Sequence, residues 1–299
     1  MAINDHSYLI IGGTTKAGTT SLFNYLSEHP DICAASYKET RFFLDQDYPL
    51  QSKYRLNNDG LDKYNEFFFQ CKGVKLRMEA TPDYLYSTGC ANRVASSLPG
   101  AKMVFILRDP VDRLKSWYKF AQQKGFISEK FSFDDYVLMQ LQSLQSSNTP
   151  QYMRALEQGR HSSSIDEYKN TFGDERCLVI PFHELANEPV SVMRKICHFS
   201  DIDPGMYDDY QFRIENMTVG TRFSQIQRVY AYIIFNLRIQ THSKPRLHRF
   251  FKKARVFIDS YYKALNQKKK SKIEISPDIL GKLRCYYNEY YFPDQNSNS

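Results

Sequence analysis

The sequence predicts a three-layer α/β fold, with a central parallel sheet of about five strands flanked by helices and a helical C-terminal part. Short apolar or β-branched runs alternate with longer stretches of helical periodicity up to about residue 200. Pro and Gly separate many of these segments, and strand-like runs stop beyond that point. At 299 residues with 42% apolar content, the chain is long enough to bury a substantial core.

The predicted elements follow one another in regular order. The strands are Tyr8–Gly13, Ile32–Ser36, Val74–Glu79, Met103–Leu107 and Cys177–Pro181. The helices before residue 200 are Thr19–Glu28, Gly89–Ser97, Pro110–Lys124, Phe133–Leu144, Ser163–Thr171 and Val190–Phe199. Later spacing predicts helices over 226–237 and 247–265, and a last one from Pro277 to about Tyr291. We expect one domain over 1–299, with an α/β core over 1–200 and a helical extension over 201–299.

Composition argues against several classes of protein. No run approaches the roughly 20 apolar residues of a membrane-spanning helix. The start MAINDHSY lacks the basic and apolar parts of a signal peptide. The six cysteines lie far apart without a C-x-x-C pair, so we expect reduced thiols rather than a disulfide framework or a zinc site. These features favour a cytoplasmic protein.

The segment GGTTKAGTTSL, residues 12–22, follows the first predicted strand and opens the first helix. A glycine-rich turn at a helix start gathers backbone N–H groups around a phosphate, so a P-loop-like fold is predicted. Gly13 and Gly18 keep the glycine spacing of a Walker A loop, but Thr19 occupies its lysine position and the loop's lysine is Lys16. A nucleoside triphosphatase with this loop would lack the lysine that holds the outer phosphates. An ordinary strand–helix turn is the alternative.

A second candidate anion site lies in AKMVFILRDPVDRLKSWYKF, residues 101–120. Arg108 follows a buried strand, at the edge where open parallel sheets bind ligands. Ser116 lies two turns inside the following helix. A guanidinium and a hydroxyl in this arrangement can hold a second phosphate. The alternative for Arg108 is a structural ion pair with Asp109 or Asp112.

Together the two segments resemble the sulfotransferases that use 3′-phosphoadenosine 5′-phosphosulfate (PAPS). Members of that family carry P-K-x-G-T-T-x-L, which residues 15–22 match with Thr15 in place of the proline. Their second motif, L-R-[DN]-P-x-x-R-x-x-S-x-Y, resembles residues 107–118. Three further segments resemble sequences of the carbohydrate-directed branch, which includes the heparan-sulfate enzymes. They are NYLSEHPDI, KETRFF and EATPDYLY. The resemblance covers residues 8 to about 200.

The resemblance implies a set of residues for the sulfuryl donor. Lys16 would neutralise the charge that develops on the bridging oxygen as adenosine 3′,5′-bisphosphate leaves. Arg108 and Ser116 would hold the 3′-phosphate, and Arg222 would contact it from a C-terminal loop. No metal is expected, because the sulfuryl group carries less charge than a phosphoryl group. The residues expected around the 5′-phosphosulfate are Thr15, Lys16, Ala17, Gly18, Thr19, Thr20 and Ser21.

The resemblance also implies residues on the acceptor side. Glu79 matches the family's catalytic glutamate at the start of E-x-[ST]-P-x-Y and would act as general base, and Ala80 stands where members often have lysine. A helix cap or a salt bridge to Lys38 is the alternative for Glu79. Lys38 and Glu39 would face the acceptor, although a solvated charge pair is equally consistent with the sequence. His161 is a rival base candidate on the acceptor side, and a packing or hydrogen-bonding role is the alternative for it.

The positive charge is concentrated in one segment. Residues 242–272 hold eleven Lys/Arg and one Asp, so the rest of the +7 chain sums to 7 − 10 = −3. This basic, aromatic segment could contact an anionic polysaccharide or an anionic membrane surface, or it could pack as a helix with solvated lysines. An anionic acceptor fits a sulfotransferase best, and no nucleic-acid partner is expected.

The predicted function is transfer of a sulfuryl group from PAPS to a hydroxyl or amine, on a carbohydrate or polysaccharide. A small-molecule or lipid alcohol is the alternative acceptor. Two more distant alternatives are a P-loop kinase or NTPase and a non-catalytic anion-binding module. The loop lysine position argues against the kinase, and substitution of Glu79 would separate an enzyme from a binding module.

Overall fold

The computed structural model divides the chain into two compact units, which we describe separately. The first takes in the described residues of 1–113, 157–216 and 285–299, and the second those of 114–156 and 217–284. The predicted boundary near residue 200 stays a prediction. The residues that the structure describes are 6–50, 52–57, 60–71, 73–74, 76–128, 130–143, 154–212, 220–221, 267–268 and 273–288.

A five-stranded parallel sheet forms the centre of the first unit. The strands run in the order β2-β3-β1-β4-β5, and every neighbouring pair is parallel. The predicted α/β fold with a central parallel sheet is therefore confirmed. The strands are β1 (Ser7–Gly13), β2 (Ile32–Ala34), β3 (Leu76–Ala80), β4 (Lys102–Leu107) and β5 (Cys177–Pro181).

Helices connect these strands and continue beyond them. They are α1 (Thr19–Ser27), α2 (Asp62–Asn65), α3 (Cys90–Ser97), α4 (Pro110–Lys124), α5 (Phe133–Ser143), α6 (Ser162–Phe172), α7 (Phe182–Asn187), α8 (Pro189–Phe199) and α9 (Pro277–Tyr287). The sequence did not predict the short helices α2 and α7. In the described part of the chain, no helix is both long and apolar enough to cross a membrane. The helices predicted over 226–237 and 247–265 lie outside the described residues.

The two faces of the sheet carry different cores. Successive strand side chains point to opposite faces, so Leu9 and Ile11 of β1 join an aliphatic cluster with side chains of α1 and α8. Tyr8 and Ile10 face the other way, into a cluster rich in aromatic rings. That aromatic cluster includes Phe42, Phe43, Tyr64, Phe67, Phe68, Tyr84, Phe105, Tyr168 and Phe172. Both faces are covered, as expected for a parallel sheet.

A disulfide joins Cys33 and Cys71, whose Cα atoms are 5.8 Å apart. The prediction of six reduced cysteines is wrong for this pair. The segment around residues 67–71 runs beside β2, where Ser36 N–H donates to the Phe67 carbonyl at 2.8 Å. This lateral contact brings together cysteines separated by 38 residues. Cys90, Cys177, Cys197 and Cys285 are free, as predicted.

The second unit contains α5, most of α4 and α9, and a short strand pair. The ring of Tyr118 on α4 lies 5.3 Å from Phe133 and 5.4 Å from Tyr136, both on α5. Just before α9, Ser276 N–H donates to the Asp134 carboxylate at 3.3 Å. The strands β6 (Gly220–Thr221) and β7 (Gln267–Lys268) pair in antiparallel fashion.

Candidate active site

The sheet reverses its winding direction between β1 and β4. The chain leaves β1 toward β2 on one side of the sheet, and leaves β4 toward β5 on the other. A crevice forms outside the carboxyl ends of the strands at such a reversal, and ligands bind there. The predicted phosphate loop follows β1 and Arg108 follows β4. Both motifs therefore lie at the position where open parallel sheets bind ligands.

The loop after β1 has the backbone conformation of an anion-binding turn. Lys16 has φ 67° and Gly18 has φ 85°, both in the left-handed region. Gly18 is the N-cap of α1, and a Cβ atom there would lie 3.0 Å from the Phe182 ring. The first N–H groups of a helix lack intrahelical acceptors and carry the positive end of its dipole. Thr19 and Thr20 are the first two residues of α1 and belong to this first turn.

Two arginines of the second motif reach the phosphate loop. The Arg108 guanidinium donates to the Lys16 carbonyl at 3.1 Å and lies 4.7 Å from the centre of the Phe182 ring. Arg113 is fully buried and donates to Thr15 Oγ1 at 3.2 Å. Each contact joins a side chain from the β4 edge to the loop after β1. The two predicted anion motifs are therefore one connected structure.

The other two residues predicted for the 3′-phosphate are placed differently. Ser116 is half-buried on α4, in the portion of that helix assigned to the second unit. Arg222 lies outside the described residues, although its neighbours Gly220 and Thr221 form β6. The predicted roles of Ser116 and Arg222 remain predictions.

Lys38, Glu39 and Arg41 form a partly exposed charged group at the carboxyl edge of β3. The N–H of Ala80, the last residue of β3, donates to the Lys38 carbonyl at 2.9 Å. Glu39 accepts from Lys38 Nζ at 3.2 Å and from Arg41 at 2.9 Å, and its side chain is 33% exposed. Burial alone would raise the pKa of Glu39, but the cations of Lys38 and Arg41 outweigh it and lower the pKa to about 2. Glu39 is thus an ionised carboxylate with access to solvent.

Glu79 occupies a different environment from the one predicted. Its carboxylate is 1% exposed and accepts hydrogen bonds from the hydroxyls of Thr40, Thr81, Tyr64 and Tyr84. Burial raises the pKa of Glu79 against the opposing effect of these four donors. A base must reach the proton that it removes, so this placement does not support the predicted role. Glu79 precedes the last residue of β3, and strand alternation directs it into the aromatic face.

His161 is also placed differently from the prediction. Its side chain is 4% exposed, at the residue before α6. Burial, together with the nearby Arg113 cation, lowers the pKa of His161 to about 3. A buried, neutral imidazole cannot meet an acceptor from solution in this conformation. The alternative role, a core histidine, agrees with the structure.

This geometry agrees with comparisons against known proteins. A family model described as "Sulfotransferase family" matches residues 9–208. The chain belongs to the sulfotransferase family. The match spans the sheet except for the first two residues of β1, both anion motifs and the segment that carries Lys38 and Glu39.

Individual sulfotransferases show the same similarity. The chain is 28% identical over 211 residues to the Xenopus tropicalis bifunctional heparan sulfate N-deacetylase/N-sulfotransferase 1, covering 66% of this chain and 22% of that protein. It is 31% identical over 198 residues to the membrane-associated sulfotransferase kil1 of Dictyostelium discoideum, covering 63% and 41%. The chain therefore spans less than half the length of either relative. A crystal structure of a sulfotransferase from Alicyclobacillus acidocaldarius has a TM-score of 0.59 and 27% identity, covering 82% of this chain and 97% of that one.

Sequence reasoning missed two side chains that shape this sulfotransferase site. Arg113 lies inside the quoted second motif, yet only its structural contact with Thr15 reveals what it does. Phe182 is the first residue of α7, directly after β5. Its ring contacts Arg108 and fills the space that a side chain at Gly18 would need. The rule that ligands bind at the carboxyl ends of strands could have drawn attention to Phe182. Nothing in the local sequence could have shown which residues its ring contacts.

Proposed function

We propose that this sulfotransferase transfers the sulfuryl group of PAPS to a hydroxyl or amine on a carbohydrate. The observation that carries the proposal is the pair of contacts from Arg108 and Arg113 to the phosphate loop. They unite two anion motifs at the reversal point of the sheet. A ligand with phosphates at two separate positions, as in PAPS, fits this arrangement better than a ligand with one phosphate chain.

The donor set of the loop suits a 5′-phosphosulfate. Backbone N–H groups from Ala17 to Ser21, with the hydroxyls of Thr19 and Thr20, would hold the 5′-phosphate. Gly18 adopts φ 85°, which L-residues rarely adopt, and has little room for a side chain. Arg108, Ser116 and Arg222 would hold the 3′-phosphate. These residues would distinguish PAPS from ATP by the phosphate on the ribose.

Lys16 is the proposed catalytic cation. PAPS supplies an activated sulfuryl group whose transfer leaves charge on the bridging oxygen. Lys16, in the middle of the loop, would stabilise that charge without a metal ion. With Thr19 in the Walker lysine position, a kinase or NTPase would lack its clamp on the outer phosphates. The sulfotransferase mechanism therefore has the better fit to this loop.

Glu39 is the proposed acceptor-side base in place of Glu79. It is the carboxylate of the charged group at the carboxyl edge of β3, and one third of its side chain is exposed. Its hydrogen bonds to Lys38 and Arg41 orient it but lower its basicity. A bound acceptor that displaces one of these cations would restore part of that basicity. Lys38 would then contact the acceptor or the transferring group.

A carbohydrate acceptor is favoured by similarity to relatives whose names include heparan sulfate. Because this chain spans 22% of the first of them, the acceptor remains part of the proposal. A small-molecule or lipid alcohol is the alternative. The basic segment 242–272, apart from Gln267–Lys268, lies outside the described residues, and its proposed partner is an anionic polymer or an anionic membrane surface.

The location of the protein is also a proposal. The sequence favoured the cytoplasm. The Cys33–Cys71 disulfide favours an oxidising compartment instead, since such bonds rarely persist in the reducing cytosol. We therefore propose that the folded domain functions in an oxidising compartment.

A transfer screen tests the proposed function. Labelled PAPS is offered to wild-type protein with N-desulfated heparan sulfate, other polysaccharides, glycolipids and simple phenols or alcohols. We expect label in at least one carbohydrate, and none with Lys16→Ala. Label only in a lipid or small alcohol would favour the alternative acceptor. Binding of adenosine 3′,5′-bisphosphate without any transfer would favour a non-catalytic module.

A further inference from the structure

Glu79 is the centre of a buried cluster of hydroxyl groups. One carboxylate oxygen accepts from Thr40 at 2.7 Å and from Thr81 at 2.8 Å. The other accepts from Tyr84 at 2.8 Å and from Tyr64 at 3.2 Å. An ionised carboxylate offers about four acceptor sites, so these donors occupy its whole capacity. The cluster is complete without a proton on Glu79.

Each of three hydroxyls in this cluster also accepts a backbone N–H. Arg41 N–H donates to Thr81 Oγ1 at 3.1 Å, and Phe42 N–H donates to Thr40 Oγ1 at 3.3 Å. Phe43 N–H donates to the Tyr84 hydroxyl at 3.2 Å. The Thr40 and Tyr84 hydroxyls also lie 3.1 Å apart. A hydroxyl has one hydrogen, so a hydroxyl that donates to Glu79 meets its other neighbours only as an acceptor. The oxygen lone pairs are therefore directed at three successive N–H groups.

These N–H groups belong to the turn that carries the exposed charges. Arg41 has φ 57°, a left-handed conformation that is unfavourable for a non-glycine residue. The Arg41 guanidinium in turn holds the Glu39 carboxylate at 2.9 Å. Arg41 thus contacts the proposed base through its guanidinium, and its own N–H is one of the three groups that the hydroxyls hold. Strain of this kind persists where surrounding contacts hold it.

We propose that Glu79 is a positioning residue for the acceptor side of the site. It orients three hydroxyls, and these hold residues 41–43 so that Glu39 and Arg41 present their charges at the carboxyl edge of β3. The inference rests on the proposed function. Its structural part, the dependence of the 41–43 backbone on Glu79, holds for any acceptor.

Ordinary core packing does not explain a carboxylate at this position. Isolated burial of a charged carboxylate is costly, whereas an apolar side chain would fill the same space at no such cost. The cost is offset only because the four donors are present, and burial still raises the pKa of Glu79. A carboxylate is the side chain that can accept from all four hydroxyls at once. Its placement is therefore specific to orienting those hydroxyls.

Thr81 offers a matched pair of variants. Thr81→Val keeps the volume but removes the hydroxyl between Glu79 and Arg41 N–H, whereas Thr81→Ser keeps the hydroxyl. Hydrogen–deuterium exchange is followed in peptides covering 39–44, with α8 as the internal control. We expect exchange about fivefold to tenfold faster in Thr81→Val and in Glu79→Gln, with Thr81→Ser near wild type. Unchanged exchange in both Thr81→Val and Glu79→Gln would overturn the proposal.

Kinetics with N-desulfated heparan sulfate and PAPS test the functional part. For Thr81→Val and Glu79→Gln we expect kcat/KM for the acceptor to fall about tenfold or more, with the Kd for adenosine 3′,5′-bisphosphate within about twofold of wild type. In a Glu39→Gln background the further loss from Glu79→Gln should vanish, because Glu79 acts through that turn. A full additional loss there would instead make Glu79 a catalytic residue and refute positioning. If wild-type protein transfers nothing while the exchange result holds, the proposed function fails and the structural inference stands.

Discussion

Lys16 has a defined structural position in the loop after β1 and is also the proposed catalytic cation. Its backbone takes a left-handed conformation, and its carbonyl accepts from Arg108. The Arg108 side chain, which belongs to the second motif, therefore helps to hold the turn. The backbone contact with Arg108 does not involve the Lys16 ammonium group, so replacing that side chain leaves this hydrogen bond available.

We expect Lys16→Ala to lower kcat about 10²–10³-fold, the usual effect of losing one group that stabilises developing charge. The Kd for adenosine 3′,5′-bisphosphate should change much less, because the backbone and Arg108 still hold the loop. Steady-state kinetics and calorimetric titration measure the two quantities. Lys16→Arg is the matched control and should retain more activity. Turnover near that of wild type in Lys16→Ala would exclude the proposed role.

Glu39 contributes to the stability of the fold in a way that depends on pH. Its pKa falls from 4.5 to about 2 on folding, so the ionised form stabilises the fold above about pH 4.5. That contribution is lost as the pH falls through about 2. The difference in Tm between wild type and Glu39→Gln should therefore shrink between pH 6 and pH 2.5. An exposed control, Glu175→Gln, should stay near wild type throughout, and a constant difference for Glu39→Gln would contradict the shifted pKa.

Residue types at the site were easier to predict than residue environments. The loop residues and Arg108 could be proposed from the sequence because their spacing is local and distinctive. Glu79 and His161 were placed correctly along the chain, but their burial depends on side chains from distant segments. Tyr64 and Thr40, which bond to Glu79, precede it by 15 and 39 residues. No pattern within the β3 sequence predicts those hydrogen-bond partners.

Strand alternation decides which face of the sheet each side chain of β3 occupies. Met78 and Ala80 join the aliphatic cluster, so Glu79 between them faces the aromatic one. The predicted strand ended at Glu79 and left its side chain at the sheet edge. One further residue of strand turns that edge position into a core position. The predicted role of Glu79 came from the resemblance to the family motif, which carries no information about the burial of its side chain.

The disulfide between β2 and the segment before β3 should stabilise the first unit. Closing a loop with a sequence separation of 38 residues is worth about 4 kcal/mol when the constraint acts on the unfolded chain. We expect the double variant Cys33→Ser/Cys71→Ser to unfold at lower denaturant concentration than wild type. Adding a reductant should shift wild type toward the variant and leave the variant unchanged. Equal midpoints for oxidised wild type and the variant would contradict a contribution from the bond.

Strands and long helices were predictable because their apolar periodicity is strong. Every predicted strand is present, with ends within two residues of the prediction. The short helices α2 and α7 were missed, since four to six residues carry too little periodicity to distinguish. The disulfide was missed because its partners meet only through the packing of β2.

For the whole molecule, the order of the strands explains why two distant motifs form one site. The loop after β1 and the residues after β4 are separated by more than 80 positions in sequence. Parallel pairing of β1 with β4 brings their carboxyl ends side by side, and Arg108 and Arg113 complete the connection. The sequence pattern predicted the class of fold and both motifs. The contacts between them required the three-dimensional arrangement.

We propose that Arg108 and the loop after β1 hold two phosphates of one nucleotide. The most direct test of this proposal is calorimetric titration of wild type, Arg108→Ala and Arg108→Lys with adenosine 3′,5′-bisphosphate and with adenosine 5′-monophosphate. Because Arg108 also donates to the Lys16 carbonyl, its loss can weaken the binding of both ligands. The decisive quantity is therefore the Kd for adenosine 5′-monophosphate divided by the Kd for adenosine 3′,5′-bisphosphate. Losing a charge-assisted contact should lower that ratio about 10–100-fold in Arg108→Ala, with a smaller loss in Arg108→Lys. A ratio unchanged from wild type in Arg108→Ala would mean that this arginine does not bind the 3′-phosphate and would contradict the account.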